Sequence, residues 1–217
     1  MQIVDKSYFQ SQNFLNIPLS TAVPNGSVVP SNSGYLDLLC IKVEKEVLLR
    51  ALGVVLFKQK EALTLSSINL AENERWKKLI EGEDYDTDKK WNGLKYAYSL
   101  IAYRVFEEFT TDTNIRLSTV GAEQVNAENA NNATPAYLIA TANQNFMKEY
   151  QGENFNQNYN GYGHSYGYNF SERFIDFYDS EVERSLYAYL IDKKADFPEW
   201  DEAKFRFYDE TKNSFGL

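Results

Sequence analysis

Apolar residues recur at helical spacing along the middle of the chain and lose that spacing at both ends. The first 34 residues show none of it. Pro18, Pro24 and Pro30 interrupt them, and Asn25-Gly26-Ser27 is a turn signal. They read as an extended arm with short apolar pieces, Phe14-Leu15-Asn16-Ile17 among them. Such pieces dock either on the chain's own core or on a neighbouring subunit, and Phe14, Leu15 and Ile17 are the arm's candidate contact residues.

Helical periodicity begins at Tyr35, where Leu36, Leu39, Val43, Val47 and Leu48 recur at three- and four-residue steps. Ser33 is placed to cap this helix. Arg50-Ala51-Leu52-Gly53 predicts a break or bend, because glycine weakens a helix, and Val54 to Leu63 continues as a second helical piece. A short helix over 69–81 carries Trp76, Leu79 and Ile80, and Gly82 closes it. From about Lys89 to Thr110 the stripe Trp91, Leu94, Tyr98, Ile101 and Val105, widened by Leu100, Tyr103 and Phe106, predicts one long helix buried on more than one side. Trp76, Trp91, Leu94, Tyr98 and Ile101 are core anchors, and the two tryptophans flank an acidic loop. Residues 115–131 are polar and small. Ala133 to Tyr150 return to helix, with Thr134 as cap, Pro135 at the first turn and Leu138, Ala142, Phe146 and Tyr150 on one face.

Residues 153–170, ENFNQNYNGYGHSYGYNF, form an Asn/Gly/Tyr low-complexity stretch without aliphatic side chains. It cannot build a packed core. Phe155, Tyr159, Tyr162, Tyr166 and Tyr168 are candidate partner contacts. Beyond it, Phe174 to Asp179 reads as a strand or short helix. Ser180 to Lys193 reads as a helix with Val182, Leu186, Tyr189 and Leu190 inward, and Pro198 and Trp200 mark a turn. The fold class expected is mainly α: a helical bundle with an extended N-terminal arm, a Tyr/Gly/Asn-rich loop and a small C-terminal α(+β) appendage. The boundaries are 1–34, 35–152, 153–170 and 171–217.

Composition changes this picture in three places. Aromatics make up 15% of the 217 residues, mostly 16 Tyr and 14 Phe. Tyrosine suits contact surfaces, and equally fills partly wet core positions. The net charge of −9 argues against gripping nucleic acid, which needs a basic stripe. It leaves room for a protein that DNA merely passes. The one cysteine, Cys40, lies in an apolar stretch and reads as a buried free thiol. The N-terminus lacks a signal-peptide pattern, and no apolar run reaches the length of a membrane span.

Candidate chemistry fails at named residues. The one histidine, His164, sits in the low-complexity stretch, a poor platform for catalysis or metal binding. Asp84, Asp86 and Asp88 match the first three ligand positions of a calcium loop. Lys89 then stands where the turn needs glycine, and Lys95 where the bidentate glutamate belongs. A solvated acidic loop ahead of a helix fits better. Phosphate-loop, dinucleotide-loop and nucleophile-elbow motifs are absent. The expectation is a structural protein without catalytic, cofactor-binding or metal-binding residues, the alternatives being a recruitment module acting through the Tyr-rich loop or an enzyme with unfamiliar carboxylate chemistry.

The order of motifs carries a resemblance. Glu44-Lys45-Glu46 and Leu49-Arg50-Ala51-Leu52-Gly53 lead into Val54-Val55-Leu56-Phe57. Arg75-Trp76-Lys77-Lys78-Leu79-Ile80-Glu81-Gly82 comes next, then Lys90-Trp91-Asn92-Gly93-Leu94-Lys95-Tyr96. Gly121 to Pro135, with Glu128-Asn129-Ala130, precedes the next helix. This resembles the head–tail connector proteins (neck ring, or adaptor) of tailed bacteriophages, of the type in crAss-like and other phages of Bacteroides-type hosts. It covers about residues 36 to 152, with a weaker echo in Ser185-Leu186-Tyr187 and the Phe-Gly-Leu ending. The resemblance implies a homo-oligomeric ring, commonly twelvefold, that contacts the portal and neighbouring neck or tail proteins. It implies a channel that DNA traverses without specific binding, a place in the virion after assembly in the host cytoplasm, and no enzyme activity, cofactor or membrane contact.

Overall fold

The computed structural model describes residues 1–10, 15–17, 33–118, 121–124, 136–152 and 182–208. Among them helix predominates: α1 (Ser33–Ala62), α2 (Glu74–Glu81), α3 (Leu100–Asn114), α4 (Ala136–Gln151) and α5 (Leu186–Asp192). The strands are short: β1 (Glu83–Tyr85), β2 (Lys89–Trp91), β3 (Ile115–Ser118), β4 (Gly121–Gln124) and β5 (Val182–Glu183). The residues sort into two units, each discontinuous in sequence. One comprises 46–96 and 147–217, and the other comprises 2–45 and 97–146.

In the first unit, α1 is interrupted at the glycine expected to bend it. Gly53 takes φ 73°, ψ 172°, a conformation that side chains disfavour. Carbonyls just before such a break need donors from elsewhere. The Trp200 indole N–H donates to the Ala51 carbonyl at 2.8 Å, and the Arg206 amide donates to that of Arg50 at 3.2 Å. The C-terminal segment therefore completes α1. Residues 182–208, expected as an appendage, belong to this unit's core, where Leu186, Leu190, Phe197, Trp200 and Phe205 are buried.

The long helix expected from Lys89 does not form. Residues 89–91 are strand β2, antiparallel to β1 with Tyr85 opposite Lys89, and β5 adds to β2 in parallel. The hairpin turns through Asp86 and Thr87, both at positive φ. The residues after β2 close α2. Leu94 and Lys95 donate their amides to the carbonyls of Leu79 and Ile80, at 3.2 and 2.8 Å, and the Trp91 indole also donates to Leu79 at 2.9 Å. Gly82 (φ 93°) and Gly93 (φ 87°) let the two backbones meet. A Cβ on Gly93 would lie 2.5 Å from backbone atoms of Glu81 and Gly82. These demands on backbone amides override the helical stripe. Helix α3 starts only at Leu100, where the Ser99 hydroxyl accepts from the Ala102 amide at 3.3 Å. Trp91, Leu94 and Ile101 are buried as expected and Tyr98 is half-buried, but they do not share a helix.

The second unit holds the first part of α1, with Leu36, Leu39, Cys40 and Val43 buried, together with α3, the β3–β4 hairpin and most of α4. That hairpin falls in the segment whose sequence reads as polar and small. Helix α4 begins at Ala136, and Thr134 and Pro135 lie outside the described residues. Gly152 ends it at φ 84°, its amide donating to the Lys148 carbonyl, as its sequence position indicates. Among the described residues no helix is long and apolar enough to cross a membrane.

Candidate functional site

A dense group of charged and phenolic side chains lies in the first unit, where the β1–β2 hairpin meets α5. The hairpin contributes Glu83, Tyr85 and Lys89. Helix α5 starts from Ser185, whose hydroxyl accepts from the Ala188 amide at 3.2 Å, and so brings Tyr189, Asp192 and Lys193 onto the hairpin. The Tyr85 hydroxyl donates to Asp192 at 3.0 Å. The Arg184 guanidinium holds the same carboxylate oxygen through two nitrogens, at 3.0 and 2.9 Å, and Lys89 stands 3.5 Å from it. On the other side, the Tyr189 hydroxyl donates to Glu83 at 2.9 Å. Lys193 and Lys78 pair with Glu83 at 3.0 and 3.7 Å. Tyr189 stacks on Trp91 with centroids 5.2 Å apart, and the Lys193 ammonium sits 4.2 Å from the Tyr85 ring centre.

This arrangement joins the hairpin to α5. Both carboxylates are engaged by cations and phenols, Asp192 through a single oxygen. Burial, reinforced by Asp192, pushes the Tyr85 phenol up. Burial, reinforced by Glu83, does the same to Tyr189. Both hydroxyls donate here. Of the calcium-like acids, Asp86 pairs with Lys89 at 3.2 Å on the hairpin turn. No cluster of metal-ligating side chains occurs among the described residues.

A second constellation ties the N-terminus down. Asp5 caps a turn of 3-10 helix over Lys6–Phe9. Glu44 on α1 is buried, and one of its carboxylate oxygens accepts the amides of Ile3 and Val4, at 2.8 and 3.2 Å. The Ile17 amide donates to the Phe9 carbonyl at 2.9 Å. Leu15 and Ile17, placed by the sequence either on the chain's own core or on a neighbouring subunit, are 1% and 3% exposed. Burial pushes the nearby Cys40 thiol up to about 12, which keeps it protonated and inert.

The other expected contacts, Phe14, Phe155, Tyr159, Tyr162, Tyr166 and Tyr168, lie outside the described residues, as does His164. The tryptophans reach the C-terminal segment: Trp76 packs edge-on against Phe197 at 5.5 Å, as Trp91 stacks on Tyr189. Sequence reasoning named Glu44 only within a motif and passed over Arg184 and Asp192. Glu44 meets Val4 across 40 positions and Asp192 meets Tyr85 across 107, distances over which no spacing rule operates. Arg184 and Asp192 are close in the chain but belong to residue types that ordinarily face solvent. Only the apolar neighbours of Glu44 on α1 signal that a carboxylate there must be paired. Large apolar side chains also stay exposed, among them Leu38, Ile41, Val54 and Val55 on α1 and Leu65 and Leu70 on the segment after it. Leu70 lines an open groove of about 450 Å³ with Ala71, Glu74, Lys77 and Glu81. Compared with known proteins, the chain matches no family model, no curated protein and no solved structure.

Proposed function

We propose that this protein is a structural subunit of a bacteriophage head–tail connector, assembling as a ring below the portal and joining capsid to tail around the DNA channel. The observation that carries the reading is the order of packing motifs between Leu36 and Gly152, from Glu44-Lys45-Glu46 through Arg75–Gly82 to Lys90–Tyr96. Two features support it. The dense polar cluster of the first unit is a latch between secondary-structure elements, with both of its carboxylates engaged. The surface keeps large exposed aliphatic side chains, which ordinarily mark contacts with other proteins when they cluster. The acidic balance of −9 suits a channel wall that DNA passes without adhering.

Partners on this reading are further copies of the chain, the portal and adjoining neck proteins. The test is mass spectrometry of neck complexes released from purified virions, together with the mass of the isolated protein in solution. Stoichiometric presence in the neck and a closed oligomer are expected. A chain that stays monomeric and is missing from virions sinks the proposal.

A further inference from the structure

Helix α1 buries different sides of itself before and after its break. Before Gly53, Val47, Leu48, Ala51 and Leu52 are buried. At roughly 100° per residue, an unbroken helix would bring Val55 within about 10° of the middle of that stripe and turn Phe57 and Lys60 about 150° away from it. The folded protein has the reverse. Val54 and Val55 are 59% and 60% exposed, whereas Phe57 and Lys60 are 5% and 3% exposed. Lysine ordinarily faces solvent. Local pattern and tertiary structure therefore disagree after the break, and disagreements of this kind gather at strained or functional elements.

Space does not demand a glycine at the break, since a Cβ on Gly53 would meet nothing within 4 Å beyond its own stretch of helix. The backbone does demand one, because φ 73°, ψ 172° lies in a region essentially confined to glycine. The C-terminal strap, residues 197–208, grips α1 on both sides of this point. Before it, the Trp200 indole and the Arg206 amide donate to the carbonyls of Ala51 and Arg50, at 2.8 and 3.2 Å. In an unbroken helix those two carbonyls take the amides of Val55 and Val54 instead. Arg50 also sits 4.4 Å over the Tyr208 ring. Beyond the break, Arg75 joins Gln59, at 3.0 Å, to Glu199, at 3.1 Å. The strap is fastened in turn to the end of α4. The Tyr150 hydroxyl donates to the Arg206 carbonyl at 2.9 Å, and the Gln151 side chain exchanges two bonds with the Tyr208 backbone, at 2.8 and 3.2 Å.

We infer that α1 is a two-position helix whose register is set by this strap. With the strap docked, the helix is broken at Gly53 and offers Val54 and Val55 to solvent. With the strap released, Gly53 enters the helix and the amides of Val54 and Val55 replace the lost donors. Val55 then joins the buried stripe, and Phe57 and Lys60 turn outward. A glycine weakens a helix interior without forbidding it, so both arrangements are open to this sequence. Docking of the strap thereby decides which side chains α1 presents for contact, and a partner that takes Trp200 from Ala51 switches that surface.

The test reads both sides of the helix chemically in full-length protein. Acetylation of Lys60 and alkylation of a Val55→Cys reporter are followed by peptide mass spectrometry, with exposed Lys58 as internal reference. With Gly53 in place the reporter thiol should react fast and Lys60 slowly. Gly53→Ala excludes the broken form, so Lys60 should react at least about ten-fold faster and the thiol at least about ten-fold slower. Unfolding cannot produce that pair of changes, because it exposes both positions. Trp200→Phe keeps a large ring but loses the N–H, and should speed Lys60 by about five-fold through the loss of one buried hydrogen bond. Val55→Asp in the same chain should return Lys60 to its wild-type rate, because a carboxylate is tolerated at an exposed position and opposed in a buried stripe. If both positions speed up together in Gly53→Ala, or neither changes, the bend is a fixed feature of the fold and the switch is overturned. A Trp200→Phe protein whose Lys60 stays slow, or stays fast after Val55→Asp, overturns it as well.

Discussion

Replacing Glu44 with alanine should loosen the N-terminal segment selectively. The buried carboxylate accepts two amides, Ile3 at 2.8 Å and Val4 at 3.2 Å. A hydrogen bond to a charged group contributes about 1.5–3 kcal/mol net, and a buried donor left without its acceptor costs about 1–3 kcal/mol. The two amides share one oxygen, and the longer bond is the weaker. The combined loss should therefore be about 3 kcal/mol rather than the sum of the extremes. If it falls on local opening of this segment, exchange of the Ile3, Val4 and Ile17 amides should quicken by about a hundred-fold, since about 1.4 kcal/mol is a factor of ten. Hydrogen exchange read by mass spectrometry or NMR checks this. Glu44→Gln keeps an acceptor but loses the charge, so it should fall between wild type and alanine. Lys6→Ala removes an ion pair whose side chains are 41% exposed, and should change stability by less than about 0.5 kcal/mol. The reasoning is refuted if Glu44→Ala leaves the exchange of these amides within about three-fold of wild type, since an anchor worth this much cannot be removed silently.

Gly93→Ala places a Cβ 2.5 Å from the backbone of Glu81 and Gly82 at a positive φ, so it should cost more than about 3 kcal/mol and abolish cooperative thermal unfolding. Asp192→Asn removes the partner of Arg184, a residue that is 6% exposed, and breaking such a buried pair should lower stability by about 3–5 kcal/mol in denaturant titration. Alkaline pH should unfold the protein through its buried phenols. Tyr187, buried and donating to Glu202, is pushed up to about 12, and Tyr85, Tyr150 and Tyr189 are raised as well. An unfolded phenol ionises near pH ~10 while these stay protonated, so the native state binds more protons above that point. Their contribution is complete below pH ~10 and is lost as pH rises toward about 12. Phenolate absorbance should therefore rise together with unfolding, and free titration of these phenols in a still-folded protein would refute this.

Much of the helical layout was legible in the chain. The stripe Leu36, Leu39, Val43, Val47, Leu48 marks the buried side of α1, Gly53 marks its interruption, and Gly82 and Gly152 end α2 and α4. These are local demands: an apolar face repeats every 3.6 residues, and a positive φ admits glycine before any other residue. The stripe Trp91, Leu94, Tyr98, Ile101, Val105 misled for a physical reason. Its members are core residues, but apolar spacing records burial and not the route to it. Nothing local shows that the amides of Leu94 and Lys95 are needed by the carbonyls of Leu79 and Ile80, which turns residues 89–95 from helix into strand and cap. The same holds at the ends of the chain. Only the folded structure lets Trp200 and Arg206 supply the donors that the break in α1 requires, places Arg184 against Asp192 on the hairpin, and buries Leu15 and Ile17 in the unit that Glu44 anchors. Sequence determines which side chains must leave water and where the backbone can bend. Which distant partner satisfies each buried polar group depends on the long-range closure of the chain, and that was decided by the tertiary structure alone.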